Sequence, residues 1–163
     1  MESIQGFALV ASPHLADANF LRSVVYILRH DEDGALGLIL NRPTLTEVGE
    51  LMNQLGETSI SSEQPVYCGG PVDGPLVMLQ SVHVDDHLLI AVASDQEQIM
   101  AQCGNDSEAI EYRLFDGYAG WAAGQLEGEL NSGGWLVWDI QPEEVFSDAE
   151  ELWSLAIRSR SLA

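Results

Sequence analysis

The sequence predicts a single mixed α and β domain spanning residues 1–163, and three observations carry that expectation. The chain has 163 residues, 46% of them apolar, with 15 glycines and 6 prolines, which is the size and composition of one ordinary folded domain. Strand signals and helix signals alternate from end to end. No repeat, low-complexity tract or Pro/Ser-rich linker interrupts them. A chain this long buries roughly two-thirds of its unfolded surface on folding, so it needs neither a disulfide framework nor a metal to hold a core.

In chain order, Phe7 to Ser12 reads as a strand stopped by Pro13. Ser23 to His30 is rich in β-branched and aromatic residues and predicts a second strand. Asp31-Glu32-Asp33-Gly34 supplies turn chemistry before the apolar run Ala35 to Leu40, so a β-hairpin is expected. Those carboxylates are not a calcium loop: an EF-hand needs glycine at its sixth position and glutamate at its twelfth, where this chain has Leu36 and Arg42. Thr44-x-x-Glu47 resembles a capping box, and Val48, Leu51, Met52 and Leu55 follow at helical spacing to about Gly56. After a polar loop, Val66 to Cys68 is a short strand ended by Gly69-Gly70-Pro71, and Leu76–Leu79 and Leu88–Ala93 are strands. Ser94-x-x-Glu97 opens a helix carrying Ile99, Met100 and Cys103 and stopping at Gly104. Ala109 to Phe115 is a strand with an irregular end at Gly117 to Trp121, followed by a short helix near Gly124–Leu130 and a strand at Trp135–Trp138. Ser147-x-x-Glu150 starts the last helix, whose apolar side holds Leu152, Trp153, Leu155 and Ala156, with Arg158 and Arg160 placed to complement its C-terminal dipole.

Charge restricts the function classes. There are 26 acidic and 6 basic residues, a formal net charge of −20, and every basic residue is arginine. Nucleic-acid affinity comes largely from neutralising phosphates with Lys and Arg, so direct binding of DNA, RNA or an anionic membrane is not expected. The start Met1-Glu2-Ser3-Ile4 has no basic leader, and the apolar runs Phe7–Ala11 and Leu88–Ala93 are too short to cross a bilayer. The expected location is the cytoplasm.

Most marked enzyme classes are excluded by their missing motifs. The phosphate-binding glycine patterns, G-x-S-x-G, H-E-x-x-H and C-x-x-C are all absent. No catalytic residue, metal ligand or cofactor is assigned. His83 and His87 flank Asp85 and Asp86 in what reads as an exposed connection, and His14 and His30 lie near strand ends where a surface hydrogen bond is the ordinary explanation. Cys68 precedes the Gly69-Gly70 turn, where backbone N–H groups could acidify a thiol, yet it fits equally as a small buried hydrophobe; Cys103 reads as core. The unusual feature is a set of special-backbone segments at strand ends: Ser12-Pro13, Asn41-Arg42-Pro43, Gly69-Gly70-Pro71 and Gly117 to Trp121. If they cluster, Ser12, Arg22, Asn41, Arg42, Gly69, Gly70, Tyr118 and Trp121 are candidate ligand-binding residues for a small anion or carboxylate, with the arginines as donors. The alternative is that they are turns, with the aromatics in the core and the arginines pairing with carboxylates.

Gly6-Phe7-x-Leu9-Val10-Ala11-Ser12-Pro13, Phe20-x-Arg22-Ser23-Val24-Val25, Gly34-Ala35-x-Gly37-Leu38-x-Leu40-Asn41-Arg42-Pro43, Gly69-Gly70-Pro71-Val72, Gly117-Tyr118-Ala119-Gly120-Trp121 continuing to Glu129, and Trp135-Leu136-Val137 together resemble the successive signatures of the AlgH/YqgE family. The resemblance covers nearly the whole chain in order. It implies a bacterial, cytoplasmic α+β protein in which a bent mixed β-sheet forms a partly open pseudo-barrel with flanking helices. A label of transcriptional regulator attached to that family describes pathway effects rather than a DNA contact or a reaction. The family pattern also implies an arginine and a histidine shortly after Val72, whereas Asp73 to Ser81 contains neither. The leading expectation is thus a non-enzymatic binding or regulatory protein with a loop-lined groove for a peptide, small anion or partner protein. An enzyme using Cys68 or a carboxylate such as Glu127 is the alternative, and a DNA-binding regulator is a third reading that the charge opposes.

Overall fold

The computed structural model describes residues 3–13, 20–57, 62–103 and 111–161. Among the described residues the order is β1 (Ala8–Ala11), β2 (Val24–Asp31), β3 (Gly34–Ile39), β4 (Pro43–Glu47), α1 (Val48–Gln54), β5 (Pro65–Cys68), β6 (Val77–Val84), β7 (His87–Ala93), α2 (Gln96–Cys103), β8 (Tyr112–Asp116), β9 (Ala119–Ala122), α3 (Gln125–Asn131), β10 (Trp135–Trp138), α4 (Pro142–Val145) and α5 (Ala149–Ser161). The fold is α+β, as expected. Its strands divide into two five-stranded sheets, β10-β1-β2-β3-β9 and β4-β5-β8-β6-β7. The first is antiparallel throughout, and the second has one parallel pair, β5 with β8.

Burial follows from side-chain alternation along strands covered on both faces. In β1, Ala8 and Val10 face a central core shared with Leu79 and Phe115 of the second sheet and with Leu152 and Ala156 of α5. Leu9 and Ala11 face the opposite way, onto a cluster with Trp121, Trp135 and Leu126 of α3. A third cluster, including Val48, Met52, Met78, Ile99 and Leu114, lies where α1 and α2 contribute residues to the other face of the second sheet. The two sheets therefore enclose one core, and each carries a further apolar layer.

The sheets join where two segments pass from one to the other. Leu40 to Arg42 carries β3 into β4, and Gly117-Tyr118 carries β8 into β9. Main-chain bonds knit this crossing: Ile39 N–H donates to Gly69 O at 2.8 Å, Cys68 N–H to Arg42 O at 2.8 Å, and Val72 and Tyr118 exchange a pair of bonds at 3.0 Å. The backbones come so close that a Cβ on Gly69 would lie 2.3 Å from Gly117 O, and one on Gly70 would lie 2.2 Å from Tyr118 O. Glycine is required at both positions by contact, since no other residue lets two chains approach this closely.

Several local expectations are corrected. Thr44 does not cap a helix: residues 43–47 form a strand, and the Thr44 hydroxyl donates to Val66 O at 2.7 Å. The other two expected caps shift by one residue, because Asp95 and Asp148 rather than Ser94 and Ser147 accept the first-turn N–H groups, of Glu97 at 2.8 Å and Glu150 at 2.9 Å. Gly117 to Trp121 is not merely an irregular strand end, since Ala119–Ala122 is a strand of the first sheet. The expected connection at Val82–Leu88 shrinks to a turn at Asp85-Asp86, both with positive φ (50° and 66°). The short helix α4 has no counterpart in the sequence reading. Gly104, the expected helix stop, Ala109 and Ile110, the expected strand start, and His14 lie outside the described residues.

Candidate functional site

The sheet crossing shapes a cleft of about 370 Å³, lined on one side by Thr44 and Thr46 of β4 and on the other by Cys68, Gly70, Asp73 and Asp116, with Gln54 of α1 also lining it. Its geometry comes from a bulge. Pro43 pairs with Tyr67 and Glu47 with Pro65, so four steps along β4 oppose two along β5. The excess chain bows outward, and Leu45 at the bow is fully exposed. The Thr44 hydroxyl satisfies Val66 O and also accepts the Thr46 N–H at 3.2 Å. The Cys68 thiol is half-buried and donates to Gly70 O at 3.5 Å. Its cleft neighbours include two carboxylates and no basic residue.

The structure brings some of the sequence-derived candidates together and separates others. Gly69, Gly70 and Tyr118 meet at the crossing, where the Tyr118 ring lies against Gly74, a Cβ at which would sit 2.8 Å from it. Asn41 and Arg42 belong to the crossing by their main chain, Arg42 O accepting the Cys68 N–H, but their side chains turn away from the cleft toward Leu21 and Arg22. Asn41 Oδ1 accepts the Val24 N–H at 3.0 Å and its Nδ2 donates to Arg22 O at 2.9 Å, tying the loop before β2 to the end of β3. Arg22 holds a positive φ of 54° and places its guanidinium 5.5 Å from the Trp153 ring centroid. Arg42 reaches the Leu21 carbonyl at 3.5 Å, and among the described residues neither arginine forms an ion pair. Ser12 is buried at the end of β1, its N–H donating to Gly134 O at 3.0 Å. Trp121 lies elsewhere, 5% exposed, stacked on Phe20 at 6.0 Å and edge-on to Trp135. Both indoles, Trp121 Nε1 at 3.2 Å and Trp135 Nε1 at 2.9 Å, donate to Glu129 Oε1. Trp121 does not line the cleft that contains Gly70.

Sequence reading missed one buried polar pair. His30, expected at the surface, has a side chain only 4% exposed and lies 3.0 Å from Glu127 of α3. A bulge in β2 places it there: the register shifts between Ile27 and Arg29, so His30 pairs with Ala35 and turns to the α3 face while Val24, Tyr26 and Leu28 face the central core. Periodicity counted straight through Leu28 points it the wrong way. The Ile4 N–H donates to His30 Nδ1 at 3.1 Å, which leaves Nε2 to carry the proton toward Glu127. Both ring nitrogens are therefore engaged, and neither is free to act as a base on a ligand. Arg113 is likewise committed. It donates to the carbonyls of Phe146 and Ser147 at 2.9 and 2.8 Å and stacks 4.8 Å above Tyr67, with burial lowering its pKa from the ordinary guanidinium range. Among the described residues, no group of acidic, histidine and cysteine side chains has the arrangement of a metal site. Likewise, no described helix is long and apolar enough to cross a membrane.

Comparison with known proteins places this architecture. The family model described as AlgH-like (DUF179) matches residues 8–162. A UPF0301 protein of Cupriavidus metallidurans is 38% identical over 92% of this chain and 84% of its own length. Another, of Chlorobaculum tepidum, is 36% identical over 95% of this chain and 86% of its own. Among solved structures, the AlgH protein of Pseudomonas aeruginosa superposes with a TM-score of 0.78 at 29% identity, covering 99% of this chain and 92% of that one. Protein DIP2367 of Corynebacterium diphtheriae gives 0.74 at 26% identity, covering 98% and 88%. With a family match spanning both sheets and relatives aligned along nearly their whole length, this chain belongs to the AlgH-like family.

Proposed function

We propose that this chain is a non-enzymatic binding protein of the cytoplasm, and that its cleft at the sheet crossing takes a cationic group, such as the side chain of a basic peptide or a small amine. One observation carries the reading: Asp73 and Asp116 line a concavity of about 370 Å³ that no basic residue lines. That volume lies within the range of small-ligand clefts, and the potential of a molecule with net charge −20 adds to the attraction for a cation. The small anion allowed by the sequence would need arginine donors, and neither Arg22 nor Arg42 lines this cleft. Against an enzymatic role, the Cys68 thiol has a main-chain carbonyl for a partner and no basic side chain among its cleft neighbours, and thiol nucleophiles depend on such a neighbour. A reducing compartment accords with two cysteines that are both unpaired.

The test is a nitrogen-15 NMR titration with agmatine and, separately, with citrate. Agmatine should shift the amide signals of Gly70, Asp116 and Gly117, and Asp116→Asn should weaken that response several-fold. Shifts of the same amides with citrate and not agmatine would overturn the reading. Iodoacetamide should alkylate Cys68 no faster than a free thiol, whereas alkylation orders of magnitude faster would support the enzyme alternative.

A further inference from the structure

The edge of the second sheet opposite β4 has no paired strand among the described residues, although α4 and the segment before it approach β7 at Leu89 and Ile90. Strand β7 runs for seven residues, longer than the other edge strands β4, β9 and β10 with five, four and four. Its pairing with β6 continues without a bulge from Met78↔Ala93 to Val84↔His87. In a hairpin closed by a two-residue turn, the closing pair exchanges both of its main-chain hydrogen bonds. Alternation from that pair points the main-chain groups of Leu89, Ala91 and Ala93 at β6 and those of Leu88, Ile90 and Val92 outward. Among the described residues, no main-chain hydrogen bond from outside the hairpin reaches β7.

Folded proteins blunt such edges with proline, charge or bulges, because a bare edge recruits other strands. At β4 these devices are present, in Pro43, Glu47 and the bulge. At β7 none is. Residues 88–93 read Leu-Leu-Ile-Ala-Val-Ala, and Leu89 and Val92 are 46% and 52% exposed. Charge is confined to the two ends, where the exposed Asp85 and Asp86 precede the strand and the exposed Asp95 and Glu97 follow it.

From this arrangement we infer that the β7 edge is a docking surface for an extended segment of a partner protein, one whose short apolar stretch is flanked on both sides by lysine or arginine. The segment adds as a sixth strand. Its main chain pairs with the outward groups of Leu88, Ile90 and Val92, and its basic flanks meet the acidic ends. A second copy of this chain fits poorly. Antiparallel pairing of two β7 strands about a two-fold axis sets Asp85-Asp86 of one copy against Asp95 of the other, between molecules each carrying −20. This surface lies at the opposite edge of the sheet from the crossing cleft and does not depend on it.

Fluorescence anisotropy with a labelled synthetic peptide, Lys-Arg-Val-Thr-Val-Thr-Val-Arg-Lys, tests the inference. The peptide should bind at low ionic strength, and its affinity should fall as salt rises. Combining Asp85→Asn, Asp86→Asn and Asp95→Asn should weaken it roughly tenfold, because asparagine keeps both the left-handed turn and the helix cap while removing the charges. Val92→Pro, at an exposed side chain, should abolish binding by deleting an outward donor. Two peptides N-methylated on alternate residues, one for each face, keep the test independent of protein stability: at least one should fail to bind. Equal binding of a Glu-flanked peptide, undiminished binding of both N-methylated peptides, or a dimer that Val92→Pro dissolves would each overturn the inference.

Discussion

Glu129 shows how one carboxylate can organise a cluster of aromatic rings. Its Oε1 accepts from both Trp121 and Trp135, and its Oε2 accepts from Gln125 at 2.9 Å. Two buried indole N–H groups thus find a partner on a half-exposed helix residue, which allows large amphipathic rings to pack under α3 without an unsatisfied donor. Trp121 is buried in a mutual cluster of three rings, touching both Phe20 and Trp135, which also meet each other. Trp121→Ala should therefore lower unfolding stability by about 3–5 kcal/mol, measured by chemical denaturation, while leaving the agmatine response of the cleft amides in place. A variant with wild-type stability would contradict the structural role assigned to this ring.

Caps and bulges at the scale of elements place side chains that the residue pattern alone misplaces. In Ser94-Asp95-x-Glu97 and Ser147-Asp148-x-Glu150 the serine and the aspartate compete to cap the helix, and the aspartate wins in both. A carboxylate at the positive end of the helix dipole accepts a stronger, charge-assisted bond than a hydroxyl does. Asp148→Ala should accordingly cost about 1 kcal/mol, and Ser147→Ala should cost close to nothing; reversed effects in denaturant titrations would restore the serine as cap. The bulges at β2 and β4 act similarly, one in each sheet. One turns His30 from the central core to α3, and the other opens the cleft and exposes Leu45.

A net charge of −20 on 163 residues governs the behaviour of the whole molecule. Self-repulsion of that size opposes compaction and is screened by salt. The melting temperature should rise by several degrees between low ionic strength and about 0.5 M NaCl, with the steepest part of the rise below about 0.15 M. Direct DNA binding should be absent, because arginines few and scattered must overcome long-range repulsion from the phosphate backbone. A sub-micromolar complex with any duplex in a low-salt mobility-shift titration would falsify that expectation.

Sequence alone determined the fold class, the positions of most strands and helices, and the glycine-marked special backbone at strand ends, because these depend on local periodicity, turn chemistry and backbone freedom. The apolar runs at Phe7–Ala11 and Trp135–Trp138 are strands because residues buried on both faces leave an uninterrupted hydrophobic signature. Gly69 and Gly70 stood out because glycine beside proline signals a special backbone, although the reason, Gly117 and Tyr118 pressed against them, is not local. Only the tertiary structure decided that Trp121 lies under α3 and away from the cleft, that the side chains of Arg22 and Arg42 do not line the cleft beside Gly70, and that His30 is buried against Glu127. The first two depend on which distant segments become neighbours, and the third on the register shift in β2. A shift of one residue sends a side chain to the opposite face of the sheet, and only the pairing of distant strands sets that register.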